Sequence, residues 1–194
     1  MAPVPKQRAT YADLERLPDN VVGEIVAGAL YASPRPRVTH AVTSSALGAE
    51  LTVPFQFGRG GPGGWWILDE PELHFGDDVL VPDLAGWRIE RMPSPPDVAA
   101  IELAPDWICE VLSPSTARLD RKGKLPIYAQ RGVSHAWLID PAVRTLEVLR
   151  RDRTLWTLIG TYADQDRVRV EPFEAIELDL SLLWGVPTAP EPAR

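Results

Sequence analysis

The stretch DWICEVLSPSTARLDRKGKLPIYAQRGVSHAWLIDP, residues 106–141, decides the reading of the chain. It opens on DWICEVL, an apolar run of strand length, and closes on SHAWLID, a second one stopped by the turn pair Asp140-Pro141. Between them SPST introduces a helix whose expected end is Gly132, a C′ glycine. One charge, Glu110, interrupts the first run. Period two places Ile108, Glu110 and Leu112 on one face of that strand and Trp107, Cys109 and Val111 on the other.

Working outward, TYADLERL at 10–17 predicts a short first helix with Thr10 as its N-cap. VVGEIV and ALYAS, separated by Ala27-Gly28, predict a hairpin, and the prolines of SPRPR end its second strand. Residues His40 to Leu51 read as a helix capped by Thr39, and GRGGPGG at 58–64 as a loop. WWILDE and ELHF read as short strands. DVLVPDLAGWR reads as one longer strand with Val79, Val81, Asp83, Ala85 and Trp87 on a single face. After the 106–141 block, TLEVLR and LWTLIG predict antiparallel strands that finish the sheet. Hairpins at both ends and irregular alternation predict a mixed α/β fold, a mixed sheet flanked by helices. The expected organisation is a flexible segment 1–9, one domain over 10–185 and a proline-rich tail over 186–194.

Bulk properties bound the function. With 194 residues and 45% hydrophobic content the chain can bury a sizeable core. The single cysteine, Cys109, excludes an internal disulfide and a cysteine-rich zinc site. The three histidines lack metal-ligand spacing, which argues against zinc. A formal charge of −7 argues against a basic nucleic-acid coat but not against an enzyme whose carboxylates hold a metal. No charged-then-apolar leader is visible and no apolar run approaches about 18 residues, so a soluble cytoplasmic protein without a membrane partner is expected. Seven tryptophans point to a core and to a homodimer or higher homo-oligomer contact.

Three features carry chemistry. Asp83 follows Pro82 in an otherwise apolar strand, where a carboxylate is costly unless a cation or several donors satisfy it. Glu110 stands alone among apolar neighbours in a second strand, and two such acids ask for a shared cation. The following helix carries Thr116, Asp120, Lys124 and Tyr128 at spacings of four, which stacks them on one face. An ordinary solvated Asp120–Lys124 pair is the plainer alternative. Pro126 demands either a kink or a helix that restarts near Lys124.

These residues resemble the PD-(D/E)XK nuclease superfamily, and within it the Uma-type putative restriction endonuclease family. The block from Ile108 to Pro141 resembles that family's signature, VPDLAGW at 81–87 its first acidic motif and GEIVAGAL at 23–30 its N-terminal hairpin. The resemblance spans residues 10–150 and implies a restriction-endonuclease-like core. It implies Asp83 and Glu110 as metal-binding carboxylates, with the Val111 carbonyl also facing the metal. The superfamily lysine lies two residues after the second acid. Leu112 occupies that place here, and Lys124 on the following helix takes the role. Glu24 is expected as a further ligand or water-positioner, Asp120 as the partner of Lys124, and His40 near the site. The implied cofactor is Mg²⁺, with Mn²⁺ as a substitute, and the implied activity is phosphodiester hydrolysis of DNA. The competing readings are a nuclease fold that binds nucleic acid or regulates without cutting, and a structural oligomerisation domain.

Overall fold

A computed structural model describes residues 8–185, so the expected proline-rich tail and most of the expected N-terminal segment lie outside the described residues. The short helix α1 (Tyr11–Leu14) begins at Thr10, whose N–H and hydroxyl both donate to Asp13 at 2.8 Å. Strands β1 (Val21–Val26) and β2 (Ala29–Pro34) form the expected hairpin. Ala27 and Gly28 both take positive φ, 53° and 78°, so a two-residue turn sets Val26 opposite Ala29. Helix α2 (Val38–Leu51) starts earlier than its sequence reading, with Arg37 rather than Thr39 at the cap position and no side chain capping it.

DVLVPDLAGWR is not one strand. It divides into β5 (Asp78–Leu80) and β6 (Leu84–Arg88), with Val81, Pro82 and Asp83 between them. Pro82 has no N–H to give a ladder. The Val81 N–H goes to the Glu24 carboxylate at 2.8 Å, and the Asp83 carbonyl accepts from Glu70 at 3.1 Å. The chain therefore changes sheets at Asp83. A four-stranded antiparallel sheet runs β2-β1-β5-β4, where β4 is Leu73–Phe75.

The larger sheet has six strands, in the order β10-β9-β8-β7-β6-β3. Its remaining members are β3 (Trp65–Asp69), β7 (Trp107–Val111), β8 (His135–Asp140), β9 (Thr145–Asp152) and β10 (Leu155–Ala163). β7 and β8 run parallel and its other pairings are antiparallel, the mixed sheet expected. The crossover from β7 to β8 holds α3 (Ala117–Leu119), a wide helical turn over Asp120–Lys124, and α4 (Leu125–Arg131). Pro126 falls in the first turn of α4, where its missing N–H costs no bond, and Gly132 ends it at φ 92°.

The alternation read in β7 holds. Trp107, Cys109 and Val111 join one core with Leu47 and Leu51 of α2, while Ile108 and Leu112 join another with Leu125 and Tyr128 of α4. Phe173, from the segment after β10, closes the first core against Phe55, Trp65, Trp107 and Trp137. That segment also carries β11 (Arg167–Val168), β12 (Leu178–Asp179) and a 3₁₀ turn, Leu180–Trp184. Among the described residues no helix is long and apolar enough to cross a membrane.

Candidate active site

Where the two sheets meet, the Val81–Asp83 connection, the end of β7 and the wide helical turn surround a cavity of about 370 Å³. Glu24, His40, Asp83, Glu110, Val111, Asp120 and Lys124 all line it. The structure thus brings every sequence-predicted site residue together. A second hollow, of about 470 Å³ along α2, shares Pro36, His40 and Glu70 with it.

Lys124 is the hub. Its Nζ lies 3.0 Å from Glu24 Oε1, 3.0 Å from each Glu110 oxygen, 3.5 Å from Asp120 Oδ1 and 3.1 Å from the Val81 carbonyl. Only 3% of its side chain is exposed, so the solvated-pair alternative for Asp120 and Lys124 does not hold. The wide turn matters here. Gly123 packs so closely on Leu119 and Val26 that a Cβ would come within 3.0 Å of each, so the turn lies directly against β1, the strand that carries Glu24. Leu112, in the place of the superfamily lysine, is buried in the second core.

Asp83 is held from two sides. Its Oδ2 accepts the Val111 N–H at 2.7 Å and its Oδ1 lies 3.2 Å from His40 Nε2. The placement of Asp83 between strands makes this possible, because a carboxylate at a sheet junction reaches the end of the neighbouring strand. Tyr128 was visible in sequence only as the last member of the helical stripe. Its buried hydroxyl donates to Glu110 Oε1 at 2.8 Å and fixes that carboxylate. Arg35 and Arg37, also on the cavity wall, had no periodic signal to single them out.

The charges are unbalanced. Among the described residues, Glu24, Asp83, Glu110 and Asp120 meet only Lys124 and His40 as cationic partners at contact distance. Burial pushes the Glu110 carboxyl well above the usual range, Lys124 opposing and Asp120, Asp83 and Glu24 adding to the rise. Asp120 is raised by burial too, against the pull of Lys124 and a hydrogen bond from Thr116. Burial disfavours charge on Lys124, but Glu110, Glu24, Asp120 and Asp83 outweigh it and hold its ammonium well above the ordinary value. Burial likewise opposes charge on His40, and the Asp83 hydrogen bond and the Val111 backbone reverse the balance.

Among the described residues no three His, Cys, Asp or Glu side chains form a cage that holds a metal by itself. Magnesium does not need one, because it binds one or two carboxylates and completes its shell with water and substrate oxygens. Asp83 and Glu110 are hard oxygen donors on a wall with surplus negative charge, and the donor set fits that ion. Zinc, which favours nitrogen and sulfur in closed sites, it does not fit.

A family model described as Uma2, putative restriction endonuclease, matches residues 9–182. Among solved structures, the chain is similar to a crystal structure of a putative nuclease belonging to DUF820 from Anabaena variabilis. The TM-score is 0.72 at 23% identity, over 91% of this chain and 97% of that one, a likeness of fold. A search of curated proteins finds no match. The wide helical turn that delivers Lys124, the Pro-Asp junction and the sheet order all fall within the matched residues, and the chain belongs to the Uma2 family of putative restriction endonucleases.

Proposed function

We propose that this protein is a divalent-metal-dependent nuclease that hydrolyses phosphodiester bonds of DNA, with Mg²⁺ as its cofactor and Mn²⁺ as a substitute. The observation that carries the reading is the convergence of Asp83, Glu110 and Lys124, from three separate segments, on one cavity. Asp83 and Glu110 would hold the ion, beside the Val111 carbonyl. When bound, magnesium supplies an activated water and neutralises charge on the phosphate.

The protein's own groups do the rest. Lys124 is charged and fixed by Glu24, Glu110 and Asp120, so it acts through its positive charge on the phosphate and on the orientation of these carboxylates, not as a neutral base. Tyr128 holds one Glu110 oxygen so that the carboxylate keeps a single orientation. His40 does the same for Asp83. Cutting both strands of a duplex calls for two such sites, and a homodimer accompanies the reading.

The test is cleavage of supercoiled plasmid with Mg²⁺ or Mn²⁺ by the full chain, beside Asp83→Ala and Lys124→Ala. Removing a preorganised electrostatic donor lowers turnover by about 10²–10³-fold, and both variants are expected to lose at least that much. Binding of DNA without cleavage in either metal would instead favour a non-cutting module, and cleavage unchanged in Asp83→Ala would overturn the site.

A further inference from the structure

The cavity is lined by charges of both signs. Its floor is acidic, as Glu24, Asp83, Glu110 and Asp120 show, while Arg35 and Arg37 stand on its wall. Both arginines are exposed. Several arginines elsewhere are tied to acids, among them Arg91 to Asp106, Arg121 to Glu147, Arg150 to Glu171 and Arg167 to Asp179. Among the described residues Arg35 and Arg37 have no such partner, a state they share with others, Arg118 and Arg144 for example.

Their backbone is stiff. Pro34 and Pro36 fix their own φ, and Pro36 restricts Arg35 to extended conformations. Arg37 is extended as well, with φ −67° and ψ 158°. A segment ordered in advance gives up little entropy when it engages a ligand. An acidic floor repels a polyanion, so a phosphate can be presented to it only if positive charge holds the chain nearby. Arginine suits that task, since its planar fork matches phosphate oxygens and its charge persists.

We propose that Arg35 and Arg37 grip the phosphodiester backbone of the DNA substrate, beside the phosphate that faces Asp83 and Glu110. The inference rests on the nuclease reading of that floor. Contacts of this kind position the nucleic acid and carry no sequence information. The grip is therefore the same on unrelated sequences.

The experiment measures anisotropy of two labelled DNA duplexes of unrelated sequence, in chelator, against salt concentration. The proteins are wild type, Arg35→Ala/Arg37→Ala, Arg35→Lys/Arg37→Lys and Asp83→Ala. Each phosphate contact contributes about 0.9 to the slope of log affinity against log salt, so the alanine pair is expected to be shallower by about 1.8 on both duplexes. The lysine pair is expected to keep the wild-type slope, and Asp83→Ala serves as the control for cleavage. An alanine pair with the wild-type slope, or a wild type that binds neither duplex, would overturn the proposal. Metal-dependent cleavage, measured on the same proteins, separates the two readings. An arginine-dependent slope without cleavage leaves the grip standing and sinks the nuclease. Cleavage with an arginine-independent slope does the reverse.

Discussion

Lys124 has more acceptors around it than an ammonium has hydrogens, and its removal leaves Glu110, Glu24 and Asp120 facing one another. Truncating one partner of a buried ion pair costs about 3–5 kcal/mol, and Lys124→Met is expected to lose that much stability. Glu110→Gln acts in the opposite sense. The folded-state pKa of Glu110 is raised, so its proton is held more tightly folded than unfolded. The stability it contributes is full below the ordinary carboxylate range and is lost as pH rises through the raised value. Thermal melts across pH are expected to fall less steeply with rising pH in Glu110→Gln than in the wild type. Identical pH profiles for the two would show that burial does not raise the Glu110 carboxyl. At this scale much was legible. An isolated acid in an apolar strand announces a cation, and spacing by four placed Tyr128 in line with Lys124. The arginines were not legible, because exposed charge in a proline-rich loop is what any surface shows.

The element that most departs from its sequence reading is the strand expected over 78–88. Alternating apolar residues on both sides of Pro82 looked continuous, and hydropathy does not register that Val81 gives its N–H to the Glu24 side chain. That bond, made across 57 residues, joins Pro82 and the Glu70–Asp83 backbone bond in the break between β5 and β6, where Asp83 accepts the Val111 N–H of β7. The crossover helix was read better, since Pro126 itself demanded a restart and the wide turn before it supplies one. On the opposite face of the large sheet, Phe173 lies with its ring 4.6–5.5 Å from four aromatic neighbours and 2% exposed. Its segment lies beyond the last strands read from sequence and follows no apolar period. Phe173→Ala is expected to cost about 3–5 kcal/mol in denaturant unfolding. A loss under about 1 kcal/mol, the range of a surface change, would mean that this segment is not part of the core.

At the scale of the whole molecule, a six-stranded mixed sheet carries the second acid and a four-stranded antiparallel sheet carries Glu24. The site exists only where they meet, with Asp83 at the junction. This explains why the sequence delivered the fold class and the acids but not their geometry: each sheet is local in pattern, and their junction is not. Stability and function pull apart at that junction, since three buried acids around one lysine, with a fourth beside His40, do not favour folding for its own sake. The most direct test of the central claim is Mn²⁺ uptake by the metal-free protein, followed by loss of the free-ion paramagnetic resonance signal. The expected result is one ion bound per chain by the wild type, with uptake abolished in Asp83→Ala and in Glu110→Gln. Equal Mn²⁺ uptake by the wild type and Asp83→Ala, or none by the wild type, would contradict it.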